Sequence, residues 1–106
     1  MPKTLTLTKP LTTHQSDQNP DGKIKELVFR DLVARDLVKL QKPPVYMVAL
    51  ADGSGHRMEV DYKVMLDYTH ELTGVSLIAL ESMSARDLNS ISFILQELMA
   101  GEDVKN

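Results

Sequence analysis

Leucine and threonine alternate along the first residues of the chain: Leu5 and Leu7 fall on one side of an extended backbone, Thr4, Thr6 and Thr8 on the other. A period of two carried by β-favouring threonines predicts a strand. Pro10 cannot donate to a ladder and is expected to end it, and the polar stretch from Thr12 to Gly22, closing with Asn19-Pro20-Asp21-Gly22, reads as a loop. The run from Lys23 to Arg30, with Ile24, Leu27, Val28 and Phe29, predicts a second strand, so residues 1–32 form a β-hairpin. A lone hairpin is marginal in water, and its leucine face needs cover from later helices.

Near Asp31 the period lengthens. Val33, Leu37 and Leu40 share one face of a short helix over 33–42, while Arg35, Asp36 and Lys39 are expected to point elsewhere; Pro43-Pro44 closes it. Periodicity does not assign residues 43–60. Alternation of Met58, Val60 and Tyr62 with Arg57, Glu59 and Asp61 supports a second hairpin turning at Asp52 to Gly55, while the competing reading starts a helix near Asp61 and leaves 43–60 an uncertain connector.

Residues 61–101 read as a helical region. Asp61 is placed to cap a helix with Val64, Met65, Tyr68 and Leu72 on one face, and Thr73-Gly74 ends it, glycine taking the left-handed conformation of a C-terminal cap. Val75 to Leu80 reads as an apolar link. Ser84 then caps a final helix in which Asp87 sits in the first turn and Leu88, Ile91, Leu95 and Leu98 form the stripe, widened by Ile94 and Met99. Gly101 closes it before a frayed tail, 102–106. The expected fold class is α+β: one domain, 1–106, with an N-terminal β-hairpin packed on a small bundle of about three α-helices and room for a second hairpin in the middle.

Composition narrows the function. A net charge of −3 offers no general attraction to nucleic acid or anionic lipid, whose binding draws on clustered Lys and Arg. With no cysteine, disulfides and thiolate metal sites are excluded; together with an N-terminus lacking a signal-peptide core and no apolar run of membrane-spanning length, this points to the cytoplasm. A protein partner is favoured.

Catalytic chemistry finds little support. His14, His56 and His70 are far apart in sequence and match no metal spacing, so no metal or other cofactor is expected. Asp52-Gly53-Ser54-Gly55 reads as a turn, not a phosphate loop, and Asp61, Asp67, Glu71, Asp87 and Glu97 read as carboxylates of solvated helix faces. An enzyme would need a site assembled from His70 and nearby acids; the expectation is no enzyme. Met47, Met58, Met65, Met83 and Met99 read as core filler. Phe93 and Met99 flank the last helix's stripe, and with Leu98 they are the candidate partner-binding residues. The alternative function is a small helix-turn-helix DNA-binding regulator, with the turn at Thr73-Gly74-Val75; Ser76 to Glu81 lacks the Arg, Lys, Asn or Gln that base and phosphate contacts require.

In succession, three segments resemble the small tail assembly chaperones of Mu-like contractile-tailed phages. The first is Thr4 to Leu11 with Gly22-Lys23-Ile24 and Leu27; the second, Phe29-Arg30-Asp31-Leu32 leading to Ala34-Arg35-Asp36-Leu37; the third, Leu72-Thr73-Gly74-Val75-Ser76, Leu80 and a helix with Asp87 and Leu88. The loop from Thr12 to Asp21 is longer than the family's compact turn, and 43–59 has no counterpart. The resemblance implies a non-catalytic protein of the host bacterial cytoplasm, absent from the mature virion, that binds the tape measure protein during tail assembly. It also implies the tail tube protein and a longer, frameshifted form of the chain as further partners, the latter consistent with an A-rich slippery run encoding Lys105-Asn106. A homo-oligomer is compatible with it; nucleic acid and membrane are not among its partners.

Overall fold

The computed structural model describes residues 3–13 and 20–100, apart from the side chains of Val45, Met47 and Met58. The α+β architecture holds, with eight elements in the described residues: β1 (Lys3–Thr12), β2 (Lys23–Phe29), α1 (Ala34–Leu40), β3 (Val45–Ala49), β4 (His56–Val60), α2 (Tyr62–Thr73), α3 (Leu77–Glu81) and α4 (Ala85–Ala100). The strands form two separate antiparallel hairpins, β1 with β2 and β3 with β4.

Pro10 does not end β1. Lys3 pairs with Phe29, Leu5 with Leu27 and Thr6 with Glu26; then the register shifts, and pairing resumes with Leu11 opposite Ile24. Leu7 to Pro10 therefore bulge past Lys25, and proline is tolerated because a bulge asks no ladder donor of it. Leu7 and Leu11 both remain buried. Thr12, assigned to the loop by its polarity, belongs to the strand. Beyond it Thr13 donates to the Gly22 carbonyl at 2.8 Å, and Gly22 supplies the positive φ of 68° that the return into β2 uses.

The inner face of this hairpin supplies Leu7, Leu11, Ile24, Leu27 and Phe29 to a core completed by Met65, Tyr68 and Leu72 of α2, Leu80 of α3, and Ile91 and Leu95 of α4. The expected cover is thus present: α4 and α3 lie against β1, and α2 against β2. Leu27 and Phe29 are fully buried, and truncating either to alanine would cost on the order of 2–5 kcal/mol. Of the described side chains of the second hairpin, β3–β4, Val60 packs against this core as a half-buried neighbour.

The helix boundaries follow local chemistry. Asp61 Oδ1 accepts from Val64 N at 3.1 Å, and Gly74, at φ 79°, donates to the His70 carbonyl at 2.9 Å. The link expected over Val75 to Leu80 instead contains α3. Ser76 Oγ accepts from Ala79 N at 3.2 Å, an N-cap that starts one short helix and makes four in all among the described residues.

The helix expected over 33–42 is shorter, and its orientation differs from the expected one. Asp36 is its buried residue, while Val33 and Leu37 are exposed and only Leu40 packs on the core. Burying a carboxylate in place of two aliphatics is favourable here because Arg30, at the end of the first hairpin, meets it with two hydrogen bonds. The expected ends of the domain, including Gly101 and the tail 102–106, lie outside the described residues, as does His14.

Candidate functional site

Two buried carboxylates are the strongest candidates for chemistry, and both are already engaged, Asp36 chiefly by a guanidinium and Asp87 chiefly by backbone amides. Asp36 is 1% exposed; its oxygens accept from Arg30 Nη1 and Nη2 at 2.9 and 2.8 Å, and from Val33 N at 3.0 Å. The Arg30 bonds, aided by the Val33 amide and opposed by burial, hold its carboxyl down at about 2. Arg30 also lies 3.6 Å from Glu71, which Lys39 meets at 2.9 Å, so the network ties α1 to α2.

Asp87 was expected on a solvated helix face. It is likewise only 1% exposed, and its oxygens accept from Thr8 N at 3.0 and 3.1 Å and Lys9 N at 3.4 Å, across the bulge of β1. Burial pushes its carboxyl up, but the amide and hydroxyl of Thr8, the hydroxyl of Ser84 and the amide of Lys9 together outweigh that and leave it below the ordinary value. The interaction joins residues 79 apart in sequence, which no local signal reveals.

The remaining polar groups are similarly engaged. Tyr68 donates its hydroxyl to the Lys42 carbonyl at 2.8 Å, and Thr69 and Ser92 donate to carbonyls within their own helices. His70 is exposed with Nδ1 2.7 Å from the Val75 carbonyl, to which it donates, and His56 is exposed at the start of β4. Neither joins the carboxylates into an acid–base pair. Among the described residues no cluster of three or more His, Asp or Glu is arranged to hold a metal ion, and no helix is long and apolar enough to cross a membrane.

Several large apolar side chains are exposed. The three residues singled out on α4 do not share one face: at 3.6 residues per turn Phe93 lies about 120° or more around the helix from Leu98 and Met99. Phe93 is 65% exposed on the side opposite Ile91 and Leu95, Met99 is at the margin, and Leu98 is half-buried against the core. Met65 is buried and Met83 half-buried, as core filler should be.

Larger apolar exposures lie elsewhere. Ile78 of α3 is 83% exposed and lines a groove with Thr12, Thr13, Ser76 and Ala79, and Val38 of α1 is 70% exposed, with Ala34 and Leu37 of the same helix also exposed. The sequence carried a signal for the second group, since Ala34, Leu37 and Val38 stand at spacings of three and four; the competing stripe of Val33, Leu37 and Leu40 hid it. Comparison of the chain with protein-family models, with curated proteins and with solved structures returned no match in any of the three.

Proposed function

We propose that this chain is a non-catalytic binding protein, a phage tail assembly chaperone that engages the tape measure protein during tail morphogenesis in the host bacterial cytoplasm. The carrying observation is Phe93: an aromatic 65% exposed in the middle of the longest helix, on the side its own core does not use. A long helical partner must be kept from aggregating until tube subunits enclose it, and an exposed aromatic on a rigid helix can cover an apolar face of such a partner. The succession of motifs from Thr4 to Leu88 supports the same reading, under which the tail tube protein and a longer, frameshifted form of the chain are further partners.

Co-expression with a fragment of the tape measure protein tests it. A complex that survives purification at micromolar concentration is expected, with Phe93→Ser weakening it by about tenfold or more, the effect of losing one well-placed aromatic anchor. The melting temperature of the free chain should stay unchanged. Absence of a complex with the unsubstituted chain would sink the proposal.

The helix-turn-helix alternative has one observation in its favour: α2, the three residues Gly74 to Ser76, and α3 do form two helices joined by a tight turn. Its second helix, Leu77-Ile78-Ala79-Leu80-Glu81, carries no side chain suited to bases or phosphate. A duplex DNA mobility assay at low salt, where electrostatic binding is strongest, removes this reading when no shift is seen.

A further inference from the structure

The outer edges of the two hairpins are not treated alike. β1 is bulged, and the amides of Thr8 and Lys9 in that bulge are taken by Asp87. β2 lies against α2, where Arg30 N donates to the Leu72 carbonyl at 3.1 Å, and β3 meets α4. β4 packs on β3 and, among the described residues, on no other element to a similar extent. It also carries none of the usual guards of a free edge: its register with β3 is unbroken from Val45 opposite Val60 to Ala49 opposite His56, and no proline or lysine falls between His56 and Val60.

The ladder fixes which backbone groups face that edge. Asp61 N donates to the Pro44 carbonyl at 3.1 Å and Leu50 N to the Gly55 carbonyl at 2.9 Å, at the two ends of the hairpin. Antiparallel pairs alternate between bonded and non-bonded. Tyr46 with Glu59 and Val48 with Arg57 therefore bond within the hairpin, and His56, Met58 and Val60 turn their N–H and C=O groups outward. Such a row of donors and acceptors is a template for another strand. Between them Arg57 and Glu59 share one face of β4, where Arg57 Nε meets Glu59 Oε2 at 2.7 Å with the side chains 64% and 35% exposed.

We propose that the occupant of this edge is β4 of a second copy of the chain, paired antiparallel about a two-fold axis at Met58. Met58 then lies opposite its own counterpart and His56 opposite Val60, so every outward N–H meets an outward carbonyl and the two hairpins become one four-stranded sheet. The charges select this register. Arg57 of each copy stands opposite Glu59 of the other, and the pair already formed within each strand becomes part of an alternating ring. The neighbouring registers that could also bond set Arg57 opposite Arg57 or Glu59 opposite Glu59, which is unfavourable. One self-complementary edge serves both copies, so growth halts at the dimer. This inference does not rest on the chaperone reading: a chain that dimerises without capturing a tape measure fragment overturns only that reading, and one that captures the fragment as a monomer overturns only this one.

Sedimentation velocity on the full chain, from low micromolar to several hundred micromolar at low salt, tests it. A species of twice the monomer mass is expected. Arg57→Glu and Glu59→Arg each set like charges opposite one another on both sides of the axis, and each should raise the dissociation constant about tenfold or more. Mixing the two single variants should restore a dimer to within about threefold of the original, because each copy supplies the charge that the other lacks. Mixing does not repair the Arg57–Glu59 pair inside a strand, so this readout reports the contact between copies. Both side chains lie outside the core, and far-UV circular dichroism should show each variant folded. Both substitutions on one chain should also give a folded dimer. A monomer throughout the range, a dimer indifferent to the single substitutions, variants that fail to pair when mixed, or mass that grows without limit would each overturn the proposal.

Discussion

Ala-Arg-Asp-Leu occurs twice, at Ala34 to Leu37 and at Ala85 to Leu88, and each time it starts a helix whose third residue is an aspartate exposed by only 1%. The two copies serve different ends. Asp36 turns back on its own helix, accepting from Val33 N, and is neutralised by the guanidinium of Arg30. Asp87 leaves its own first turn to Ser84, whose Oγ accepts from Asp87 N at 3.2 Å, and reaches across to the amides of Thr8 and Lys9. One carboxylate is held by a cation, the other chiefly by backbone donors that a strand irregularity left without ladder partners. The lesson is that a buried acid at this helix position reports an unmet need next to it, and the tetrapeptide does not say which.

The largest test of that contrast is Asp87→Ala. It leaves two amides of the bulge without their acceptor, at roughly 1–3 kcal/mol for each part-buried group, so a loss of about 3 kcal/mol is expected in urea denaturation. Asp87→Asn should recover part of it, since one amide oxygen remains to accept. Stability equal to that of the unsubstituted chain would mean the bulge finds other partners and the contrast is false.

Acid titration comes next. Asp36 titrates at about 2 in the folded chain against an ordinary 3.8. A depressed folded value means that its contribution is complete above the ordinary value and is lost as the pH falls through the folded one. The loss amounts to about 2 kcal/mol between pH ~4 and ~2, at ~1.4 kcal/mol per unit. Asp87 is lowered too and acts with the same sign. Asp36→Asn should flatten this part of the stability profile measured by denaturation at stepped pH; an unchanged profile would exclude Asp36 as its source.

The smallest effect is the one that identifies the cation. A double-mutant cycle with Asp36→Asn and Arg30→Gln should give a coupling of only about 1 kcal/mol, because the Arg30 side chain is 41% exposed and water screens the pair. The same cycle between Asp87 and Arg30 should give nothing. A coupling there would show that the two helix starts are not independent.

Features that depend on neighbours in sequence were readable. The Thr/Leu alternation announced β1, Asp61 and Ser84 announced the starts of α2 and α4, and Gly74 announced the end of α2, because each acts on backbone groups within a few residues of itself. Ser76 carried the same signal for α3 and was obscured by the apolar run around it. Phe93 was also legible as a surface aromatic, from its place off the stripe of Leu88, Ile91 and Leu95.

What could not be read was the direction in which ambiguous elements face. Pro10 looked like a strand end because its missing donor is a local fact, whereas the rescue of the bulge by Asp87 comes from the far end of the chain. Helix α1 offered two apolar stripes of similar quality, and the choice between them was made by Arg30, which lies outside the helix and draws Asp36 inward. By itself, then, the sequence determined the strands of the first hairpin, the helices α1, α2 and α4 and most of their caps, since these depend on short-range hydrogen bonding and periodicity, while it left 43–60 open and hid α3 in an apolar run. Only the tertiary structure decided which carboxylates are buried, where β1 shifts register and which aliphatic side chains are left outside, because each depends on a partner group brought close by folding.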